Sequence, residues 1–340
     1  MAGASRPEGL GAAVAAVSHR TVETNGIRMH IAEQGSGPLV LLCHGFPESW
    51  YSWRHQMATL ADAGFHAVAP DMRGYGQTDR PEEIDQYTLL HLVGDMVGLV
   101  GALGERTAVI AGHDWGAPVA WHSALLRPDR FRAVIGLSVP YRGRGPVRPT
   151  TVMPQTDTAL FYQLYFQTPG VAEAELERDP KTTVRRMLYG ASGDGPRGVG
   201  NAWEAGSNVG MVDRKAGLLG GMTDPEKLPL WLTAADLDYY AAEFTRTGFR
   251  GGLNWYRNID RSWELLAPYA GAKVTVPALY VAGDRDLVVK FPGAEQILAN
   301  LTSTVPQLRK QIMLPGCGHW TQQERPTEVN AAMIEFLKSL

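Results

Sequence analysis

The chain has 340 residues, enough to bury a large core and to hold one α/β domain with a smaller insertion. A formal net charge of −3, with 20% charged residues and no Lys/Arg stripe or stacking module, argues against nucleic acid as a partner. The two cysteines, Cys43 and Cys317, make no disulfide scaffold and read as small packing residues, and no apolar run approaches the roughly 18 residues that span a bilayer.

Residues 1–18, rich in Ala and Gly, read as a flexible tail: the apolar stretch Leu10 to Val17 is short, follows only Arg6 and lacks a cleavage site. Cytoplasmic residence is the matching default. Ile27–Ile31 reads as a strand. Past the Gly35-Ser36-Gly37-Pro38 turn, the unbroken apolar run Leu39–Cys43 suits a parallel strand covered on both faces. Trp50–Ala63 then reads as a helix and His66–Ala69 as a strand. Leu89, Leu90, Val93, Met96, Val97 and Val100 recur at helical spacing within Tyr87–Leu103. Strand Thr107–Ala111, helix Ala117–Leu126 and strand Phe131–Val139 follow, and this succession predicts a mostly parallel sheet with helices on both faces.

The rhythm breaks at Pro140. From Tyr141 to Trp263 no strand is evident, and helical stretches occupy Thr158–Phe166, Val171–Glu177, Thr182–Leu188 and Trp231–Arg246; the glycine-rich Gly190–Asn201 reads as a loop. Strands return at Val276–Ala282 and Lys310–Leu314, before a closing helix over Pro326–Leu340. The expected organisation is a core made of residues 19–140 and 266–340, interrupted by a helical cap over 141–265.

The chemistry concentrates just beyond strand ends, which in such a sheet share one crevice. Gly112-His113-Asp114-Trp115-Gly116 has the pattern of a strand turning sharply into a helix, a turn that holds a nucleophile up into a cavity. Serine is the usual occupant. A carboxylate there attacks carbon and forms an ester, so the substrate need not itself be an ester or amide. His319, in Gly316-Cys317-Gly318-His319-Trp320, then takes a proton from the water that hydrolyses the ester, and Asp286 orients the imidazole. The backbone N–H groups of Phe46 and Trp115 are candidates for the oxyanion hole. If the leaving atom is a strained ether oxygen, tyrosine hydroxyls of the insertion, with Tyr162, Tyr165 and Tyr256 foremost, can hold or protonate it.

Other readings of these residues are structural. Asp114 would also serve as a helix-capping carboxylate, His319 as a packed histidine, and Tyr256 as a buried ring. Asp284 competes with Asp286 as the orienting acid, with closure of its own turn as its alternative role. His44 and His113 lack the further convergent ligands a zinc site needs. Gly74-Tyr75-Gly76 is not a nucleotide loop.

At these motifs the chain resembles the α/β-hydrolase-fold epoxide hydrolases, bacterial enzymes and the hydrolase domain of the mammalian soluble enzyme above all. The resemblance runs from His19 to Leu337. His44 to Arg54 is similar to the family's oxyanion segment and Gly112 to Gly116 to its nucleophile turn. Tyr162 to Gln167 and Asn254 to Asn258 resemble the lid segments that carry the epoxide-polarising tyrosines, which map to Tyr162 and Tyr256 and leave Tyr165 as a packing residue. Gly318 to Gln322 matches the histidine loop, and Asp286 sits at the acid position. The resemblance implies an eight-stranded, mostly parallel sheet with an inserted cap and no cofactor; no metal is expected from the residues, and a monomer or homodimer is expected. It also implies hydrolysis of a small hydrophobic epoxide by water, through an ester on Asp114, to a vicinal diol. Haloalkane or haloacid dehalogenases share the fold and the Asp nucleophile; they need a halide cradle, to which Trp115 is suited, rather than paired tyrosines. A non-catalytic binding protein on the same shell should have lost one of Asp114, His319 or Asp286, and none is lost.

Overall fold

A computed structural model describes residues 16–196 and 209–340 of the chain. Its main sheet has eight strands: β1 Ser18–Thr24, β2 Ile27–Gln34, β3 Leu39–Cys43, β4 His66–Pro70, β5 Ala108–His113, β6 Phe131–Leu137, then, past a small two-stranded sheet of β7 Ala159–Phe161 and β8 Met211–Asp213, β9 Ala278–Gly283 and β10 Leu308–Leu314. The order across the main sheet is β1-β2-β4-β3-β5-β6-β9-β10. β2 pairs antiparallel with β1 and β4, and every pairing from β4 to β10 is parallel. This is the mostly parallel α/β sheet expected.

β3, β5 and β9 are buried along their whole length, which is why they read as unbroken apolar runs. Their side chains alternate between two cores. Leu39, Leu41 and Ile110 face the layer that holds α2 Leu89–Ala102 and α3 Gly116–Leu126; Val40, Leu42 and Val109 face the layer of α1 Arg54–Asp62 and the C-terminal helix Pro326–Lys338.

The insertion carries α4 Tyr162–Tyr165, α5 Val171–Leu176, α6 Pro180–Gly190, α7 Gly217–Gly220, α8 Ala234–Thr247, α9 Arg250–Arg257 and α10 Ile259–Leu265. It is not wholly helical. The stretch expected to be helix from Thr158 opens instead as β7, whose pairing with β8 is too short to imprint a periodicity on the sequence. β1 also escaped the sequence reading, because only Val22 and Thr24 of this edge strand are buried; the expected tail therefore gives way to strand at Ser18. The rest of that tail, residues 1–15, lies outside the described residues, as do positions 197–201 of the expected Gly190–Asn201 loop. The helix expected from Trp50 begins as a 3-10 turn over Trp50–Trp53, capped by the Ser49 side chain. Among the described residues no helix is long and apolar enough to cross a membrane.

The insertion is bonded to the segments around it through aromatic side chains. Trp50 Nε1 donates to Tyr239 Oη on α8 at 2.7 Å, and Tyr51 Oη donates to Asp236 at 2.9 Å. Trp255 Nε1 on α9 donates to the Arg73 carbonyl at 3.0 Å, which fixes the helix that also bears Tyr256.

On α3, buried His122 has one ring nitrogen on the Pro118 carbonyl at 2.8 Å, and burial pushes its pKa down to about 4. The unfolded chain takes this proton near pH 6.5, whereas the native state refuses it until about pH 4. Stability should therefore fall by roughly 3 kcal/mol as pH drops through that window. Urea unfolding of the native chain and His122→Gln at pH 7 and pH 4.5 checks this: the variant should lose less stability on acidification, and equal losses would refute the assignment.

Candidate active site

The ends of β3, β5, β9 and β10 open on one edge of the sheet, and the loops beyond them meet there. Asp114 follows β5 with φ +49°, a left-handed conformation that few side chains adopt and that Asp tolerates. The glycines around it are required by close approach. A Cβ on Gly112 would lie 1.9 Å from the Gly116 carbonyl oxygen, and one on Gly116 would lie 2.0 Å from that of Cys43. A Cβ on Gly45 would collide with the Asp114 carboxylate itself, at 2.3 Å. Strand, turn and helix are thereby pressed together with the carboxylate projecting between them.

The two oxygens of that carboxylate have different partners. Oδ1 accepts from the Phe46 amide at 2.8 Å, while Oδ2 lies 3.2 Å from His319 Nε2. The other imidazole nitrogen, Nδ1, lies 3.0 Å from Asp286 Oδ1. The Trp115 residue follows Asp114 directly as the N-cap of α3; among the described residues its amide makes no hydrogen bond to the carboxylate. Asp284 is turned away, with Oδ1 accepting from the Gly316 amide at 2.8 Å. It therefore braces the neighbouring histidine loop rather than its own turn.

Charge organises the group. Burial disfavours the imidazolium of His319, yet the charge of Asp286 and the hydrogen bonds to Asp114 and Asp286 outweigh it and hold its pKa well above the ordinary value. Burial likewise opposes ionisation of Asp114 and Asp286, and for both the adjacent imidazole prevails and holds the carboxyl below its usual range. All three shifts favour the charged forms, an imidazolium facing two carboxylates.

Two further groups had not been picked out from the sequence. Ser138, directly after β6, has φ +69° and places its Oγ 3.0 Å from His319 Nδ1, while its carbonyl accepts from Tyr280 Oη at 2.6 Å. Its sequence signal is a polar residue ending an apolar strand at the same sheet edge. The second is fully buried Glu48, which meets His113 Nδ1 at 2.8 Å and accepts from the Gly45 amide at 2.9 Å. His113 Nε2 in turn lies 2.7 Å from the His319 carbonyl. Glu48 and His113 so join the oxyanion segment, the nucleophile turn and the histidine loop, a structural duty that leaves neither histidine of the motifs free as a metal ligand; His44 Nε2 accepts from the Met72 amide.

Above Asp114 lies a cleft of about 460 Å³, partly open to solvent. Phe46, Phe166, Met187, Leu218, Met222 and Trp320 form apolar walls, and Asp114, His319, Tyr162 and Tyr256 line it too. The rings of Tyr162 and Tyr256 meet edge to face with centroids 5.9 Å apart, and Tyr256 also packs on Trp115 at 5.1 Å. Burial and then the Asp114 charge push both phenol pKa values upward, so both hydroxyls keep their protons. Tyr165 faces elsewhere and donates to Glu175 at 2.6 Å.

A part-buried carboxylate on a tight strand–turn–helix, a histidine and an acid, each from a different strand end, define the class. The family model for the alpha/beta hydrolase fold matches residues 38–326, and the chain is an α/β hydrolase. Among curated proteins it is 45% identical to epoxide hydrolase A of Mycobacterium tuberculosis, over 96% of this chain and 98% of that one. It is also 41% identical to the bifunctional epoxide hydrolase 2 of Rattus norvegicus, covering 95% of this chain and 56% of that longer protein. Among solved structures, an epoxide hydrolase from an endophytic Streptomyces superposes with a TM-score of 0.90 at 47% identity, over 95% of both chains. The chain belongs to the epoxide hydrolases of the α/β-hydrolase fold.

Proposed function

We propose that this protein hydrolyses a hydrophobic epoxide to a vicinal diol through an ester on Asp114. The supporting observation is the division of labour on one carboxylate: Oδ1 is held by the Phe46 amide, Oδ2 lies 3.2 Å from His319 Nε2, and the residue lines a cleft together with Tyr162 and Tyr256. In the first step Oδ2 attacks an epoxide carbon and the carbon–oxygen bond of the ring breaks. Tyr162 and Tyr256 stabilise the departing alkoxide, and one of them gives up a proton to it. An alkoxide is a poor leaving group without such help, which is why a pair of hydroxyls in an otherwise apolar cleft favours an epoxide over a halide.

After ring opening the His319 imidazolium gives up its proton as the tyrosine that protonated the alkoxide regains one; in the second step the now neutral His319 Nε2 removes a proton from water, and the hydroxide adds to the Asp114 carboxyl carbon. Charge gathers on Oδ1, where the Phe46 amide already donates, with the Trp115 amide as the expected second donor. Collapse expels the alkoxide, which takes the proton of the added hydroxyl and leaves as the diol, whose new hydroxyl oxygen comes from Asp114. The carboxylate is restored with an oxygen from water. Asp286 orients the imidazole and balances its charge throughout. No cofactor enters these steps.

The test is intact-protein mass spectrometry of His319→Gln after brief exposure to panels of small epoxides and organohalides. A mass gain equal to the whole epoxide, absent when Asp114 is also replaced, is expected. An adduct of the organohalide minus hydrogen halide, with none from any epoxide, would move the protein to the dehalogenases.

A further inference from the structure

Next to Tyr162 stands a side chain that the mechanism above leaves unused. Gln163 Nε2 donates to the Tyr162 hydroxyl oxygen at 2.9 Å. The Gln163 backbone is itself tethered, because Gln167 Nε2 donates at 2.9 Å both to the Gln163 carbonyl and to the Tyr256 carbonyl on α9. One glutamine thus joins the two tyrosine-bearing segments, and the other touches the reacting hydroxyl itself.

We propose that Gln163 is a positioning residue for ring opening, whose amide donates to the Tyr162 oxygen and directs the phenol's own proton toward the epoxide oxygen. The proposal rests on the epoxide-opening reading above. A phenol has one proton to give and oxygen lone pairs that accept. Filling an acceptor site with an N–H turns the O–H away from the amide, and a hydroxyl that accepts one hydrogen bond donates the next more strongly. The need is acute here. As the ring opens, Tyr162 gathers negative charge in an apolar cleft close to carboxylates: burial opposes that charge most, Asp114 and Asp286 oppose it as well, and the Gln163 amide acts in the opposite sense. Gln163 therefore acts in the step that breaks the ring, not in ester hydrolysis.

The experiment measures ester formation by rapid-quench mass spectrometry in the His319→Gln parent, alone and combined with Gln163→Leu, Gln163→Glu or Gln167→Leu. Substrates are epoxides with increasingly electron-withdrawing groups on the carbon that keeps the oxygen. Gln163→Leu should slow ring opening about 5- to 15-fold, the worth of one neutral hydrogen bond. Its rate should also depend more steeply on alkoxide basicity than the parent's. Gln163→Glu, which at neutral pH accepts and cannot donate, should be slower still. Gln167→Leu, which disturbs placement alone, should slow all epoxides by a common factor. With His319 intact, Gln163→Leu should hydrolyse its ester at the native rate. Parent-like ring opening in Gln163→Leu, an unchanged dependence on alkoxide basicity, or recovery by Gln163→Glu would each overturn the proposal. Absence of any ester in the His319→Gln parent would instead refute the epoxide-opening reading on which it stands.

Discussion

Asp114→Asn is expected to lower turnover by about four orders of magnitude or more while the protein still folds, since in the proposed mechanism Asp114 is the covalent nucleophile, whose loss removes the route itself rather than one stabilising contact. Asparagine is the informative replacement. It has the shape of aspartate, and it tolerates the left-handed backbone at φ +49°, so a collapse of the turn cannot account for the loss. Its amide oxygen retains an acceptor for the Phe46 amide, but no nucleophilic charge remains to face His319. The variant should also respond differently to alkali. In the native chain the His319 pKa is raised, so the stability it contributes is present below its ordinary value near 6.5 and is lost as pH rises through the folded value. Asp114→Asn removes two of the causes of that shift, and the loss at high pH should shrink. Steady-state rates with an aryl epoxide, paired with urea titrations at pH 7 and pH 9.5, test both statements; turnover within tenfold of the native chain would refute the nucleophile.

What could be read from the chain alone follows from how local each constraint is. The Asp114 turn was legible because its glycines are demanded by contacts within a few residues or across one strand, directly after the buried run Ala108-Val109-Ile110-Ala111. Of the two acids weighed in the sequence, Asp286 lies 3.0 Å from His319 Nδ1 while Asp284 accepts from the Gly316 amide. The sheet was legible where strands are buried on both faces, and failed at its thinly buried edge, β1. β7 failed for a different reason. Its three residues pair with β8 about fifty positions away, and no pattern along the chain encodes that partner. Ser138 and Glu48 were missed because their roles exist only in three dimensions: each is an unremarked polar residue until β6 is laid beside β9, and until the loop after β3 is laid against His113.

Asp286→Asn should separate the two halves of the reaction. In the free enzyme His319 sits between two carboxylates, and its proton is held by both. In the proposed mechanism ring opening converts Asp114 to a neutral ester and so removes one of those charges and one hydrogen-bond acceptor. The His319 pKa must fall at that moment, which makes the imidazole a base just when water has to be activated. Hydrolysis should therefore be lost as pH falls through the His319 pKa of the ester, and that midpoint should lie below the one the free enzyme shows. Single-turnover decay of the ester from pH 5 to pH 9, set beside an NMR titration of His319 in the free protein, measures the difference; coincident midpoints would contradict it. Removing the charge of Asp286 as well should push the midpoint lower still. An amide facing Nδ1 also favours the wrong tautomer, so ester hydrolysis should slow by roughly 10³–10⁴. Ring opening needs Asp114 charged and the tyrosines protonated but asks nothing of the imidazole as a base, so its rate should change far less. The ester should then accumulate in Asp286→Asn as it does in His319→Gln, and a variant that loses both steps equally would place Asp286 in the architecture of the loop rather than in the chemistry of the second step.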